Sequence, residues 1–214
     1  MRVRFKICCI ASIDEAEVAI AGGADAIGLV SAMPSGPGVI ADEAIARIAR
    51  SVPPAVGSFL LTSRTDGPAI ADQVVRSAVN TVQMVDEVPM STYAHLRRTL
   101  PYVRLVQVLH VSSEEVLDQA RGCLEHVDAL LLDSGRPKAH IRELGGTGRT
   151  HDWALSRRIV EMSTKPVFLA GGLNAANARD AVRLVGPWGL DVCTGVRTDG
   201  RLDPLKLRAF ADAL

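Results

Sequence analysis

Residues 103–133, with the sequence VRLVQVLHVSSEEVLDQARGCLEHVDALLLD, contain one complete strand–helix–strand pattern. Apolar runs at 103–111 and 127–133 predict two strands, and the helical pattern at 113–125 predicts the segment that connects them. Because both runs are almost continuously apolar, we expect parallel strands in a sheet that is covered on both faces. Parallel neighbours need a crossover connection of this kind, so the stretch predicts one β-α-β unit.

The same alternation continues in both directions along the chain. Further strands are predicted at 3–10, 26–32, 55–62, 81–86, 166–170 and 189–194, and further helices at 14–22, 41–51, 68–79, 89–99, 153–162, 175–185 and 203–213. Eight such units, with no long linker or break in composition, predict a single (β/α)8 TIM-barrel domain over residues 1–214. A doubly wound open sheet is the alternative, but the G-x-G-x-x-G turn that usually follows its first strand is absent.

The composition excludes several classes of partner. Of the 214 residues, 48% are hydrophobic and 4% are aromatic, and 24 basic residues balance 24 acidic ones. Without net charge or runs of like charge, the chain is not expected to bind nucleic acid. No apolar stretch reaches the roughly 20 residues that cross a bilayer, and the first residues predict a strand instead of a signal peptide. We therefore expect no membrane partner and a cytoplasmic location.

The four cysteines, Cys8, Cys9, Cys123 and Cys193, do not have the spacing of zinc ligands, and neither do the five histidines. Neighbouring residues of a strand point to opposite faces, so Cys8 and Cys9 are poorly placed to form a disulfide. We expect reduced thiols and no bound metal. His110 ends the fifth predicted strand, where we expect a histidine whose hydrogen bonds are satisfied.

Barrels of this kind carry their active sites at the carboxyl-terminal ends of the strands. The apolar face of the first strand suits the surrounding helices and consists of Val3, Phe5, Ile7 and Cys9. Lys6 and Cys8 alternate with these residues and are expected to point into the barrel, where Lys6 would favour the thiolate form of Cys8. The alternative for Cys8 is a small buried residue without chemistry.

Asp133 ends the otherwise apolar sixth strand and is also expected to point inward. A carboxyl group there can act as a general acid with a pKa raised by poor solvation; capping the following loop is the alternative. Asp191 lies deeper, in strand eight, and is expected to be structural, bonding the backbone or Lys6. A thiolate and a carboxyl group in one cavity can move a proton between adjacent carbons of a sugar, as in an aldose–ketose isomerase.

Glycines follow the last three predicted strands, in Gly145-Gly146-Thr147-Gly148, Gly171-Gly172 and Thr194-Gly195. Glycine allows backbone N–H groups to approach an anion closely, and the loops after strands seven and eight of a barrel commonly bind phosphate. Ordinary turns explain any one of these loops, but three on adjacent strands favour a phosphate. A small phosphorylated sugar is therefore the expected partner.

In this order, the motifs resemble the phosphoribosylanthranilate isomerase family of tryptophan biosynthesis. That family opens with Lys-Ile-Cys-Gly-Ile, which is similar to Lys6-Ile7-Cys8-Cys9-Ile10. Residues 22–28 resemble the start of the family's second strand. Residues 131–133 and 145–153 resemble its acidic residue and the loop that follows. Residues 169–174 and 191–196 resemble its phosphate-binding end. The resemblance runs the length of the chain.

The resemblance implies an Amadori rearrangement of N-(5'-phosphoribosyl)anthranilate to 1-(2-carboxyphenylamino)-1-deoxyribulose 5-phosphate, an intramolecular oxidoreductase reaction that needs no metal or organic cofactor. Asp133 would be the acid that opens the sugar ring, and Cys8 the base that removes the C2 proton, supported by Lys6. The residues implied in phosphate binding are Gly146, Gly171, Gly172, Thr194 and Gly195. The active species would be a monomer or a homodimer.

Three positions depart from the family pattern. Gly38 stands where the family has an arginine for the anthranilate carboxylate, Cys9 replaces a glycine, and residues 82–86 lack the family's Gln-Leu-His-Gly. A substitute guanidinium could come from another loop, from Arg64, Arg136 or Arg142. Two alternatives to the anthranilate substrate stay open: a relative acting on a different phosphorylated sugar or aminosugar, and a non-catalytic phosphate-binding barrel. A histidine-pathway isomerase would be expected to have aspartate in place of Cys8.

Overall fold

The computed structural model describes residues 3–135 and 152–214, and in it eight parallel strands close into a barrel. Each strand pairs with the next, and the last pairs with the first. The strands are β1 (Arg4–Ile7), β2 (Ala26–Val30), β3 (Gly57–Thr62), β4 (Thr81–Met84), β5 (Arg104–His110), β6 (Ala129–Asp133), β7 (Val167–Leu169) and β8 (Gly189–Val192). The predicted (β/α)8 architecture is confirmed.

A helix follows each barrel strand and packs on the outside of the barrel. The helices are α1 (Ile13–Ala21), α2 (Asp42–Ser51), α3 (Gly67–Ser77), α4 (Met90–Thr99), α5 (Glu115–Cys123), α6 (Trp153–Met162), α7 (Ala178–Val185) and α8 (Pro204–Asp212). None of the helices within the described residues is long and apolar enough to cross a membrane.

Local signals in the sequence set the helix ends. Ser12 Oγ accepts the N–H of Glu15 at 3.1 Å, and Asp203 Oδ1 accepts that of Leu205 at 2.9 Å, with Pro204 as the first residue of α8. Side-chain caps of this kind satisfy N–H groups that have no partner within the helix. They fix where each helix begins.

Alternation along the strands separates two apolar layers. Ile7, Leu60 and Leu132 belong to the larger layer between strands and helices, whereas Phe59 and Phe168 meet edge to face inside the barrel, with ring centroids 6.0 Å apart. Burying an aliphatic or aromatic side chain of this size contributes about 1.5–3 kcal/mol, so the layers hold the strand ends in place.

The sequence pattern did not predict a short hairpin after β8. A 3-10 turn at Thr194–Val196 leads into two antiparallel strands, β9 (Arg197–Thr198) and β10 (Arg201–Leu202), before α8 begins. Strands of two residues carry too little periodicity to be recognised.

Candidate active site

One cavity opens at the carboxyl-terminal ends of the barrel strands and encloses about 700 Å³, including its mouth. Cys8, which directly follows β1, and Asp133, the last residue of β6, both line it. Gly171, Gly172 and Thr194, in the loops after β7 and β8, line the same cavity. The fold therefore gathers the thiol, the carboxyl group and two of the glycine-containing loops in one place.

The position of Cys8 depends on the strands at either side. Its N–H donates to the carbonyl of Val192 at 2.9 Å, which continues the pairing of β1 with β8. On the other side, Gly28 leaves room for two side chains: a Cβ atom there would lie 3.1 Å from Cys8 Sγ and 3.1 Å from Lys6 Nζ. Both side chains consequently fit inside the barrel, as their alternation along β1 predicts.

Lys6 is fully buried, and its Nζ lies 2.7 Å from Asp191 Oδ1. Burial opposes the ammonium charge, but Asp191 and then Cys8 outweigh it, so the pKa of Lys6 lies above its ordinary value. The expected bond between Asp191 and Lys6 is present, and Asp191 also lines the cavity. A paired positive charge thus lies within electrostatic range of the thiol.

Burial is the main reason why the pKa of Asp133 is raised. His110 and the N–H of Ser134, which is 2.8 Å from Oδ1, work in the opposite direction without cancelling it. The carboxyl group can therefore keep its proton at a higher pH than an exposed aspartic acid, as a general acid must.

His110 pairs with Asp133 in the register of β5 and β6. Its Nε2 lies 2.9 Å from the carbonyl of Val85, whereas its Nδ1 has no partner within residues 3–135 and 152–214. The expectation of a fully satisfied strand-end histidine is thus wrong for one ring nitrogen.

The loops after β7 and β8 have the backbone conformation of an anion site. Gly171 and Gly172 have φ of +85° and +64°, and in the described part of the chain neither N–H group has an acceptor. A Cβ atom on Gly195 would overlap the carbonyl oxygen of Leu173, so these two loops fit together only with glycine there. Gly146, the remaining predicted phosphate ligand, lies outside the described residues.

Two asparagines hold the glycine loop after β7. The side-chain amides of Asn174 and Asn177 donate to the carbonyl of Gly172, at 3.3 and 2.9 Å. Asn174 Oδ1 also accepts the N–H of Ala176, and α7 begins only at Ala178. The predicted start at residue 175 is therefore wrong, because Asn174 closes a turn that orients the glycines instead of capping the helix.

Arg197 is a residue at the site that sequence reasoning missed. Its Nη2 donates to the carbonyls of Cys8 and Cys9, at 3.0 and 2.6 Å, and its Nη1 lies 3.0 Å from Glu15 Oε1. Burial works against the charge of Glu15, but the N–H of Leu202 and the guanidinium outweigh it and lower its pKa. Because the partners are more than 180 positions apart, no local pattern could reveal this contact.

Cys9 does not point outward among the helices as strand alternation predicts. β1 ends at Ile7 and Cys9 has φ of +64°, so alternation no longer applies and the side chain lines the cavity. Its Sγ lies 2.8 Å from Cys193 Sγ. This hydrogen bond raises the pKa of Cys9 and lowers that of Cys193, which Arg197 lowers further.

Gly38 packs directly against Cys9. A Cβ atom on Gly38 would overlap Cys9 Cβ and lie 2.9 Å from Cys9 Cα, and its φ is +77°. With cysteine at position 9, there is therefore no room for a side chain at position 38. The two departures from the resembled pattern at these positions are coupled by steric contact.

This side of the cavity is mostly apolar and is lined by Met33, Pro37, Leu61, Val85 and Val108, with Ser35 and Gln83 as uncharged polar residues. Among the described residues, neither lysine nor arginine lines the cavity. Arg64 is exposed and away from the lining, and Arg136 and Arg142 lie outside the described residues. A substitute guanidinium at this wall is therefore not found within the described part of the chain.

Residues 3–135 and 152–214 contain no group of three or more His, Cys, Asp and Glu side chains that could hold a metal ion.

The closed barrel and its strand-end cavity, lined by both a buried acid and a thiol, place the chain among the (β/α)8-barrel enzymes. The family model described as N-(5'phosphoribosyl)anthranilate (PRA) isomerase matches residues 5–213. The chain belongs to this family of isomerases.

Relatives and solved structures agree with this membership. N-(5'-phosphoribosyl)anthranilate isomerase 2 of Methanosarcina mazei is 33% identical over 97% of this chain and 92% of its own length. The N-(5'-phosphoribosyl)anthranilate isomerase of Halobacterium salinarum is 34% identical over 97% of this chain and 93% of its own length. The Thermotoga maritima isomerase superposes with a TM-score of 0.83 at 30% identity, covering 99% of this chain and 100% of that one. A phosphoribosyl anthranilate isomerase in complex with reduced 1-(o-carboxyphenylamino)-1-deoxyribulose 5-phosphate superposes with a TM-score of 0.80 at 27% identity. That match covers 99% of this chain and 97% of the other.

Proposed function

We propose that this chain converts N-(5'-phosphoribosyl)anthranilate into 1-(2-carboxyphenylamino)-1-deoxyribulose 5-phosphate, an aldose–ketose isomerisation in the class of intramolecular oxidoreductases. The observation that carries the proposal is the common cavity of Cys8 and Asp133, with Gly171 and Gly172 at its edge. Family membership gives the substrate, and the cavity gives the groups that the reaction needs.

Asp133 is the proposed general acid. Burial keeps its pKa raised, so it can hold a proton and deliver it to the ring oxygen of the ribosyl group. The C1–O bond then breaks, and the nitrogen lone pair forms the C1=N bond of a protonated Schiff base. This cation withdraws electrons from C2, which makes the C2 proton acidic.

Cys8 is the proposed general base. Its thiolate takes the C2 proton, and the electron pair moves into a C1=C2 bond to give an enolamine. Lys6, held by Asp191 at 2.7 Å, supports the thiolate electrostatically. Protonation at C1 and loss of the proton from the C2 hydroxyl group complete the ketone, so no redox partner takes part.

The phosphate is proposed to bind at the loops after β7 and β8. The N–H groups of Gly171 and Gly172, which have no acceptor among residues 3–135 and 152–214, support this, together with the adjacent turn at Thr194 and Gly195. Gly146 is proposed as a further contact, from a segment outside the described residues. We also propose one cytoplasmic domain, active as a monomer or a homodimer.

The test is turnover of N-(5'-phosphoribosyl)anthranilate made in situ, followed by the loss of its fluorescence. We expect Cys8→Ser and Asp133→Asn each to lower kcat by about 100-fold or more, as general acid–base groups do. Cys123→Ser is the matched control, because Cys123 is equally buried but lies on α5, away from the cavity. Folded wild-type protein without turnover would contradict the proposed reaction.

A second function is favoured by the apolar wall that includes Met33, Val85 and Val108, where the described residues offer no cation to a carboxylate. The same acid and base could act on a phosphorylated aminosugar whose other substituent is uncharged. Turnover of such a compound, but not of the anthranilate, would favour this alternative. Phosphate binding without turnover of either would favour a non-catalytic barrel.

A further inference from the structure

Three glutamines, Gln73, Gln83 and Gln107, are buried in this barrel, each with no more than 3% of its surface exposed. A buried amide normally has its hydrogen bonds satisfied, because leaving them unmade is costly. The three side chains therefore allow a direct comparison.

Two of them are satisfied within the protein. Gln107 Oε1 accepts the hydroxyl of Tyr93 at 2.7 Å, and its Nε2 donates to the carbonyl of Asp86 at 2.9 Å. Gln73 Oε1 accepts the hydroxyl of Thr62 at 2.9 Å, and its Nε2 donates to Asp42 Oδ1 at 3.2 Å. Both amides therefore make structural hydrogen bonds within the protein.

Gln83 is different. It lies on β4 and lines the cavity that also contains Cys8 and Asp133. Its Oε1 is buried and has no hydrogen-bond partner in residues 3–135 and 152–214. Its neighbours in register are Leu61 and Val106, which offer no polar side-chain atom. Turning the amide over would only put an unpaired N–H group in the same place.

We propose that Gln83 is a substrate-positioning residue whose Oε1 accepts a hydrogen bond from a hydroxyl group of the sugar. An acceptor oxygen can pair only with a donor, which a pentose hydroxyl supplies and which an ionised phosphate or carboxylate does not. In the closed order of the barrel, β4 lies across from β8, so a sugar phosphate anchored at the loops after β7 and β8 extends toward it. The assignment of a sugar rests on the proposed function.

The test compares Gln83→Met with its matched control, Gln107→Met, which replace a buried amide by an apolar side chain of similar length. Gln83→Met should lower kcat/KM by about tenfold or more, because a hydrogen bond to bound substrate is lost. Its Tm should stay level or rise by about 2–4 °C, because an unpaired amide is removed. Gln107→Met should lower Tm and leave kcat/KM near that of the wild type.

A merely structural Gln83 would behave like Gln107. A Tm for Gln83→Met that falls as far as that of Gln107→Met, or a kcat/KM within twofold of the wild type, overturns the proposal. If the wild type does not turn over the anthranilate, the proposed function fails separately. In that case, titration calorimetry with ribose 5-phosphate tests Gln83 directly. Weaker binding by Gln83→Met than by the wild type supports the positioning role of Gln83. Equal binding by the two proteins, or no binding by the wild type, overturns it.

Discussion

The two sides of the cavity mouth are built in different ways. On the side of β7 and β8, the N–H groups of two glycines at positive φ have no acceptor within the described part of the chain, and asparagine side chains hold their loop. Gly195 of the next loop fits against the carbonyl of Leu173. On the side of β2, Gly38 also has positive φ, but it is packed against Cys9 beside an apolar wall. The first arrangement suits an anion, and the second fills space. The side proposed to bind phosphate can therefore be kept while the opposite side changes.

Among the substitutions that test the difference between the two sides, Gly195→Ala should have the largest effect. The added Cβ would overlap the carbonyl of Leu173 and force the loops after β7 and β8 apart. A displacement of about 1 Å in a positioning group can cost roughly 100-fold in rate, so we expect kcat/KM to fall by about that factor, mainly through KM.

Gly122→Ala is the control for that substitution, since a Cβ atom there meets nothing within 4 Å and Gly122 lies in α5. It should retain activity and stabilise the fold slightly. If Gly195→Ala has the same kcat/KM as Gly122→Ala, the close fit of the two loops has no role in binding phosphate.

The contact between Gly38 and Cys9 predicts a coupled pair. Gly38→Ala should lower the free energy of unfolding by about 2–3 kcal/mol, from overlap with Cys9 and from positive φ at a residue with a Cβ. In a Cys9→Gly background the overlap with Cys9 Cβ is gone, but the 2.9 Å contact with the Cα of residue 9 and the positive φ remain, so about 1–2 kcal/mol should remain.

A double-mutant cycle in urea measures this coupling. An interaction energy of about 1 kcal/mol or more is expected. Additive effects to within about 0.5 kcal/mol would show that positions 9 and 38 vary independently, and that the β2 side is not closed by Cys9.

The smallest expected effect is the pH dependence of Asp133. Since burial raises its pKa in the folded protein, the carboxyl group contributes stability below the unfolded pKa of about 3.9, and this contribution is lost as pH rises through the folded value. Relative to wild type, Asp133→Asn should therefore gain stability as pH rises through that window.

Urea unfolding of wild type and Asp133→Asn at a series of pH values checks the sign. The same proton sets the alkaline limb of kcat/KM, which should fall about tenfold for each pH unit above the folded pKa. A difference in unfolding free energy that is flat with pH would mean that folding does not change the pKa of Asp133.

Much of the fold follows from local sequence. β5 was predicted over 103–111 and spans Arg104–His110, because an apolar run bounded by polar residues defines a buried strand. The cavity positions of Asp133 and Cys8 and the Lys6–Asp191 pair also follow, since alternation along a strand fixes which side chains face inward.

The remainder depends on backbone conformation and on distant partners. Alternation misplaced Cys9, because a residue at φ of +64° does not obey it. Arg197 and the Asn177 contact with Gly172 were missed, because both bonds form only after the chain has turned. That Gln83 Oε1 has no partner among residues 3–135 and 152–214 is visible only once those residues are placed.

The Arg197 contact also has a consequence for synthesis. The guanidinium that binds the carbonyls of Cys8 and Cys9 is synthesised 188 or more residues after them. A ribosome-bound chain that stops before residue 197 contains the Cys8 thiol but not the group that fixes its turn. The turn at Cys8 and Cys9 must therefore wait for Arg197 to be held in place, however early the first strands assemble.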